Sequence, residues 1–404
     1  MKLPNTTNKH LTYCLNVHPG ETWAENFAAI RDHAMRVRDA VAPREQFGLG
    51  LRLGRRSAEQ LAQPAALAEL RQFLDDHGLY AFTINGFPYG RFHATTVKEN
   101  VYRPDWRCPR RREYTNLLVS ILAGLLPKGV TGSVSTVPCA YKPWIRTPAD
   151  MLQLARMLGA AAAHAHQVRQ ETGKDICIAL EPEPDCFLET TAEAIEFLTV
   201  ELPDGVRAVA HEIGLDPDDA AAMVARQIGV CLDTAHAAVE FEDPCEALAS
   251  FAAARVRVGK VQLSSALRLA ATDDALARLE EFVDPVYMHQ VKLRRPDGTI
   301  ESHRDLPAAI AAARLARDAE LCEIRVHFHV PLFFTSDGPL ASTSDLLGAD
   351  FWRRLAGNSG VEHLEIETYT FDVLPPALRS TDVVESISHE YAWTLAQWAT
   401  TIAD

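Results

Sequence analysis

Basic residues are scarce in this chain. Its 404 residues carry 40 Lys and Arg against 54 Asp and Glu, a formal charge of −14. Nucleic-acid backbones are held by concentrated Lys and Arg, so a nucleic-acid partner is not expected. A membrane span needs about 18 or more consecutive apolar residues, and no such run occurs. The first residues, Met1 to His10, have neither an apolar core nor a cleavage site, so they do not read as a signal peptide. The eight cysteines form no CxxC pair. Several fall in apolar strand candidates, where a free thiol behaves as a small hydrophobe, and a reduced, cytoplasmic protein is the expectation. GxSxG, Walker A, GxGxxG and HExxH are all missing, which leaves nucleophile-elbow hydrolases, P-loop enzymes, dinucleotide binders and zincins without support. Nothing marks a linker, a repeat or a low-complexity tract. The expectation is one domain, 1–404.

What is present is alternation. Short apolar strands at 13–18, 47–53, 81–86, 131–137, 176–181, 229–233, 258–263, 324–330 and 363–369 are separated by amphipathic helical stretches. Thr147-Pro148, Asp216-Pro217 and Asp243-Pro244 each place an N-cap residue before a proline at the first helical position. Strands alternating with helices imply a parallel sheet covered by helices. The class is α/β, and a (β/α)8 TIM barrel with long rim loops, notably 87–112 and 331–350, accounts for the pattern. Nine strand candidates exceed the eight a barrel needs, so either 258–263 or 324–330 is the seventh strand. Pro296-Asp297-Gly298 marks a turn, and an inserted β-hairpin is expected near 287–304.

Two strands end in acidic residues. Cys177-Ile-Ala-Leu-Glu181 precedes Pro182-Glu183-Pro184, and Val230-Cys-Leu-Asp233 precedes Thr234-Ala-His236. The alternate positions ahead of each carboxylate are small, namely Cys177 and Ala179, then Gly229 and Cys231. A strand points alternate residues to one face, so that face stays narrow until its last residue presents a ligand. In a barrel, the C-terminal rim is where such residues perform chemistry. His363-Leu-Glu365-Ile-Glu367 adds two carboxylates on one face, and Arg325-Val-His327-Phe-His329-Val330 adds two imidazoles on one face. Carboxylates and imidazoles together suit a divalent cation. Gln262, on a neighbouring strand, offers an amide oxygen as a further ligand. His18, Asn85, His93 and His236 end strands or enter rim loops and are candidate substrate contacts. The arginines 103, 107, 110, 111 and 112 surround Trp106 and are candidates for an anionic group, or a solvated charge run.

These motifs resemble a known group. Glu-Pro after one strand, Asp-Thr-x-His after the next, a histidine-bearing strand and a last strand with Glu resemble the xylose isomerase-like TIM barrels. That superfamily holds sugar isomerases, ketose 3-epimerases and endonuclease IV. More narrowly, Tyr13-Cys-Leu-Asn-Val-His-Pro-Gly-Glu-Thr-Trp23, Asn85-Gly-Phe-Pro-Tyr-Gly90, Val97-Lys-Glu-Asn-Val-Tyr-Arg-Pro-Asp-Trp106, His327-Phe-His-Val-Pro331 and His363-Leu-Glu-Ile-Glu-Thr-Tyr369 resemble the EboE family of metabolite traffic proteins. The likeness runs from about residue 10 to the end. It implies one divalent metal ion (Mn, Mg, Co or Zn) held by Glu181, Asp233, a third ligand and a final Glu. Gln262 stands where the third ligand is usually His, so His327 or His329 is the substitute. Glu367 matches the final Glu, with Glu365 in reserve.

The implied activity is isomerisation or epimerisation of a small hydroxylated or α-hydroxycarbonyl metabolite. Glu181 and Glu367 would move the proton and His236 would hold a substrate oxygen. The implied setting is a secondary-metabolite precursor pathway, with other proteins of the same operon as partners. Two alternatives stay open: a non-catalytic carrier or scaffold, and a metal-dependent lyase or hydrolase at the same site.

Overall fold

The computed structural model describes residues 1–6, 8–90, 98–283, 288–315, 323–371, 374 and 382–403. Seven strands form in succession: β1 (His10–Tyr13), β2 (Phe47–Arg52), β3 (Leu79–Asn85), β4 (Gly132–Thr136), β5 (Ile176–Leu180), β6 (Ile228–Asp233) and β7 (Val258–Leu263). Six more follow before the barrel resumes: β8 (Ala266–Ala270), β9 (Val291–Arg294), β10 (Ile300–His303), β11 (Glu323–His329), β12 (Ser336–Asp337) and β13 (Leu340–Ser342). The chain then returns with β14 (His363–Ile366). The eight-stranded sheet is parallel in the order β1-β14-β7-β6-β5-β4-β3-β2, and a parallel bridge between Cys14 and Gly50 brings its two edges together. The structure is thus an α/β barrel of the expected class.

The sequence question about the seventh strand is resolved in favour of 258–263. The segment 324–330 is β11, the centre of a second, antiparallel sheet in the order β10-β9-β11-β8-β13-β12. The expected hairpin exists as β9 and β10, with Gly298 at φ 88° in its turn, a backbone region that glycine enters without steric cost. It is only one corner of a larger insertion, however. That sheet has its own apolar core, including Leu267, Leu269, Val291, Leu293, Ile324, Val326 and Phe328. The first strand also differs from the sequence reading: regular pairing stops at Tyr13, and Leu15–Val17 form a turn of 3-10 helix.

Helix starts follow their local chemistry. Thr147 accepts from the Asp150 amide and Asp150 caps back, while Asp216 and Asp243 accept from amides of their own first turns. These contacts satisfy amides that a helix start otherwise leaves unpaired.

The barrel interior is narrow because its side chains are small. Cys177, Ala179 and Cys231 pack together fully buried. A Cβ on Gly229 would sit 2.3 Å from the Arg257 carbonyl oxygen and 2.9 Å from Cys177 Sγ. One layer below the rim, Lys260 and Glu365 form an ion pair with no exposed surface on either side chain. Gly50 makes room for it, since a Cβ there would lie 2.1 Å from Glu365 Oε1. Removing one member of such a pair strands a buried charge. Lys260→Met is therefore expected to cost about 3–5 kcal/mol, read as the shift in a urea unfolding curve. The double variant Lys260→Met/Glu365→Leu is expected to recover most of that loss. A single-variant cost no larger than that of the double variant would mean that Glu365 is neutral in the fold.

Candidate metal centre

The carboxylate-bearing strand ends converge at the C-terminal rim, as the alternation of β5, β6 and β14 requires. Asp233 closes β6 and caps the short helix Thr234–Val239. Its Oδ1 accepts from the amides of Ala235 (2.8 Å) and His236 (3.0 Å) and from Ser264 Oγ (2.6 Å). Its Oδ2 is buried with no hydrogen-bond partner among the described residues. Burial acts to raise this carboxyl, but the His236 and His329 imidazoles outweigh it and hold it below the usual range.

Three imidazoles reach the same place. His236 sits one helical step past Asp233. His327 and His329 come from β11 of the inserted sheet, whose alternate residues Val326 and Phe328 face that sheet's own core. A register shift between Val326 and His329 in the pairing with β8 re-aims the end of the strand. In each ring, Nδ1 meets an oxygen that can only accept: the Pro182 carbonyl at 3.0 Å for His236, Gln290 Oε1 at 2.8 Å for His327, and the Glu367 carbonyl at 2.7 Å for His329. A carbonyl oxygen forces a proton onto Nδ1 and turns Nε2 inward, where it offers a lone pair once the ring is neutral. Such an outer hydrogen bond fixes the tautomer of a metal-ligating histidine. Nε2 of His327 and of His329 are buried without partners among the described residues.

Donor atoms from six residues form three overlapping sets, each with members within 4.8 Å of one another: His236, His327 and His329; Glu181, Asp233 and His236; Asp233, His329 and Glu367. The residues present therefore fit a divalent cation. Their mixture of imidazole and carboxylate suits Mn, Co or Zn better than Mg, which favours oxygen ligands.

The remaining expected residues fall around this cluster. Glu181 follows β5, and Gln262, with its amide nitrogen turned toward it, donates to both carboxylate oxygens at 3.0 Å. In that arrangement Gln262 holds the carboxylate in place. Burial, followed by Asp233 and Glu367, pushes the Glu181 carboxyl well above its usual range. Glu367 Oε1 accepts from Asn16 Nδ2 at 2.6 Å, and its Oε2 lies 2.8 Å from His329 Nδ1. Glu365 points inward one layer lower and pairs with Lys260. Asn85 lines the pocket above the cluster, its Oδ1 accepting from the Phe87 amide at 3.1 Å. His18 bonds Tyr13 Oη at 2.9 Å and stacks on His33, outside the pocket lining. His93 lies outside the described residues.

Among the loop arginines, Arg107 pairs with Asp105 and Asp150. Arg111 is buried and donates to the carbonyls of Pro104, Gly86 and Phe87. Those two build the loop.

The pocket above the cluster has a cavity volume of about 60 Å³ and is lined by Glu181, Glu367, His236, His327, Asn16 and Asn85 on its polar side. Phe87, Pro88, Val101, Met288 and Tyr369 supply apolar surface, and Lys98, Tyr102 and Glu183 complete the wall. Sequence reading passed over Asn16, Tyr102, Glu183 and Gln290. Only Glu183 carried a signal, as the second acid of Glu181-Pro-Glu183-Pro.

No protein-family model and no curated protein matches the chain. Solved structures do. An L-ribulose 3-epimerase superposes with a TM-score of 0.50 at 14% identity, over 98% of this chain and 96% of that one. The IolI protein with a bound zinc atom is similar at TM-score 0.49 and 11% identity, over 97% and 99% of the two chains. A 3-keto-D-glucoside 4-epimerase from E. coli follows at TM-score 0.43 and 13% identity, over 96% and 99%. The likeness to the first is one of fold, the parallel α/β barrel described above.

Metal binding at this cluster should compete with protons. Burial lowers the His329 imidazole, but Glu367 and Asp233 outweigh that and push it up to about 9 in the metal-free protein. Its proton must leave before Nε2 can ligate. Apparent affinity for Zn or Co is therefore expected to rise by up to about tenfold per pH unit as pH climbs toward 9. Calorimetry in buffers of different ionisation enthalpy would count the protons released. His329→Gln should lower the count by about one, and an unchanged count would remove His329 from the ligand set.

Proposed function

We propose that this protein is a divalent-metal-dependent isomerase or epimerase acting on a small hydroxylated or α-hydroxycarbonyl metabolite. The observation that carries the reading is the cluster of His236, His327 and His329 ring nitrogens beside Asp233, Glu181 and Glu367 at the floor of a pocket. An ion held there would act as a Lewis acid on the substrate's neighbouring oxygens. The chain's own groups would handle the proton. Inversion or transfer at a carbon needs one group to take the α-proton and another to return it, each within hydrogen-bond reach. Glu181 and Glu367 both line the pocket and come from separate strands. Gln262 steadies the first, and Asn16 and His329 steady the second. His236 lies beside Asp233 and would hold a substrate oxygen.

The resemblance of the quoted motifs to EboE supports looking for the substrate among secondary-metabolite precursors, with proteins of the same operon as partners. A single 1–404 domain belongs to the same proposal, because the cluster draws ligands from both the barrel and the inserted sheet. So does a reduced, cytoplasmic setting: the described cysteines are all free, and no described helix is long and apolar enough to cross a membrane.

A carrier role for an apolar precursor draws its support from Phe87, Val101, Met288 and Tyr369 in the pocket wall. A lyase or hydrolase would use the same cluster. Metal-loaded protein incubated with a panel of ketoses and hydroxyketones in D2O distinguishes these readings. Isomerase chemistry is expected to place deuterium on a substrate carbon, with the rate lowered by about 100-fold or more in Glu181→Gln. Metal without exchange on any compound would favour the lyase or hydrolase. A protein that takes up no metal would favour the carrier.

A further inference from the structure

Glu183 is outside all three ligand sets, yet it is buried and lines the pocket. Its two oxygens are in different situations. Oε1 accepts from Tyr102 Oη at 2.9 Å and from Gln290 Nε2 at 3.3 Å. Oε2 has no partner among the described residues and is shielded from solvent. Leaving a buried carboxyl oxygen unpaired is costly, and anchoring Tyr102 and Gln290 needs only Oε1.

The orientation of this carboxyl is set by the same amide that sets His327. Gln290 Nε2 donates to the Pro184 carbonyl at 3.0 Å and to Tyr102 Oη at 2.8 Å. A carbonyl only accepts, so the amide nitrogen is fixed on that side, and Oε1 on the other side receives His327 Nδ1. One side chain thus aims an imidazole at the metal cluster and holds a carboxyl against the pocket. Phe87 packs against Tyr102 with ring centroids 6.0 Å apart. Val101 and Lys98, close to Tyr102 in the chain, also line the pocket, so Glu183 shares a partly apolar wall with one cationic side chain.

We propose that Glu183 is a substrate-binding residue whose Oε2 pairs with a substrate hydroxyl away from the metal. The inference rests on the metal-site reading and narrows it. The substrate carries at least three oxygens, two at the metal and one at Glu183, and is a polyhydroxylated compound with an apolar part rather than a simple hydroxyketone.

The test uses metal-loaded protein and two series of hydroxamates, which seek the metal themselves. One series derives from acetic, propionic and butyric acids, and the other from glycolic, 3-hydroxypropionic and 4-hydroxybutyric acids. At one arm length the hydroxylated member is expected to bind about tenfold more tightly than its plain counterpart. Glu183→Met should abolish that preference at unchanged metal content. Glu183→Gln should keep part of it, because Tyr102 and Gln290 hold its oxygen and leave the amide nitrogen to face the hydroxyl.

If Glu183→Met does not fold, Glu183→Asp takes its place and should move the preference to an arm one carbon longer. No preference in the wild type, a preference that survives Glu183→Met, or one unmoved in Glu183→Asp overturns the assignment while leaving the metal site standing. Absence of metal, with neither series bound, overturns both.

Discussion

The concentration of carboxylates inside the barrel mouth is the constraint around which the rest is arranged. Glu181, Asp233, Glu365 and Glu367 are all buried within a few residues of the C-terminal rim. Uncompensated, such charges would carry a large desolvation penalty. Each has a distinct counterpart. Lys260 pairs with Glu365, His329 faces Glu367, and the Gln262 amide faces Glu181. Two backbone amides and Ser264 occupy one oxygen of Asp233. What these partners leave unsatisfied points at one region, and that region has the composition of a cation site.

The inserted sheet makes this arrangement possible. A barrel of eight strands offers only eight rim positions for inward-facing ends, and here β7 presents Gln262 among them. β11 approaches from a separate antiparallel sheet and adds two imidazoles from one strand face. It is fastened to the barrel side by polar contacts: Arg325 donates to the Ala238 carbonyl at 2.7 Å, Thr370 donates to the His329 carbonyl, and His329 bonds the Glu367 carbonyl. Lys292 on β9 adds ion pairs to Glu189 and Glu240 at 3.1 and 2.9 Å. Two apolar cores, one in the barrel and one in the insertion, therefore meet across a polar seam, and the candidate metal cluster lies there.

Much of this was legible in the residues. Small alternate positions before Glu181 and Asp233 announced an enclosed parallel barrel, and the structure packs Cys177, Ala179 and Cys231 there. His327 and His329 share a face by their spacing alone, and they do share one. The size of the insertion was less visible, because β8, β12 and β13 are short and their pairing partners lie far away in the chain. His18 ended a strand-like segment in the sequence, but regular pairing stops at Tyr13, and its ring turns to Tyr13 and His33.

The sequence by itself determined the class, the periodicity and which strands end in carboxylates or imidazoles, since those depend on alternation and local capping. Only the tertiary structure decided what each group faces. Glu365 and Glu367 are equivalent by spacing, yet one meets Lys260 across the barrel and the other meets His329 from the insertion. Gln262 stands where a ligand was expected and instead faces Glu181. Glu183 and Gln290 are distant in sequence and become one hydrogen-bonded unit with Tyr102. The reason is physical. Periodicity chooses a face, whereas a hydrogen bond or ion pair needs a partner within about 3 Å, and such partners are brought together only when the sheet closes and the insertion packs on its rim.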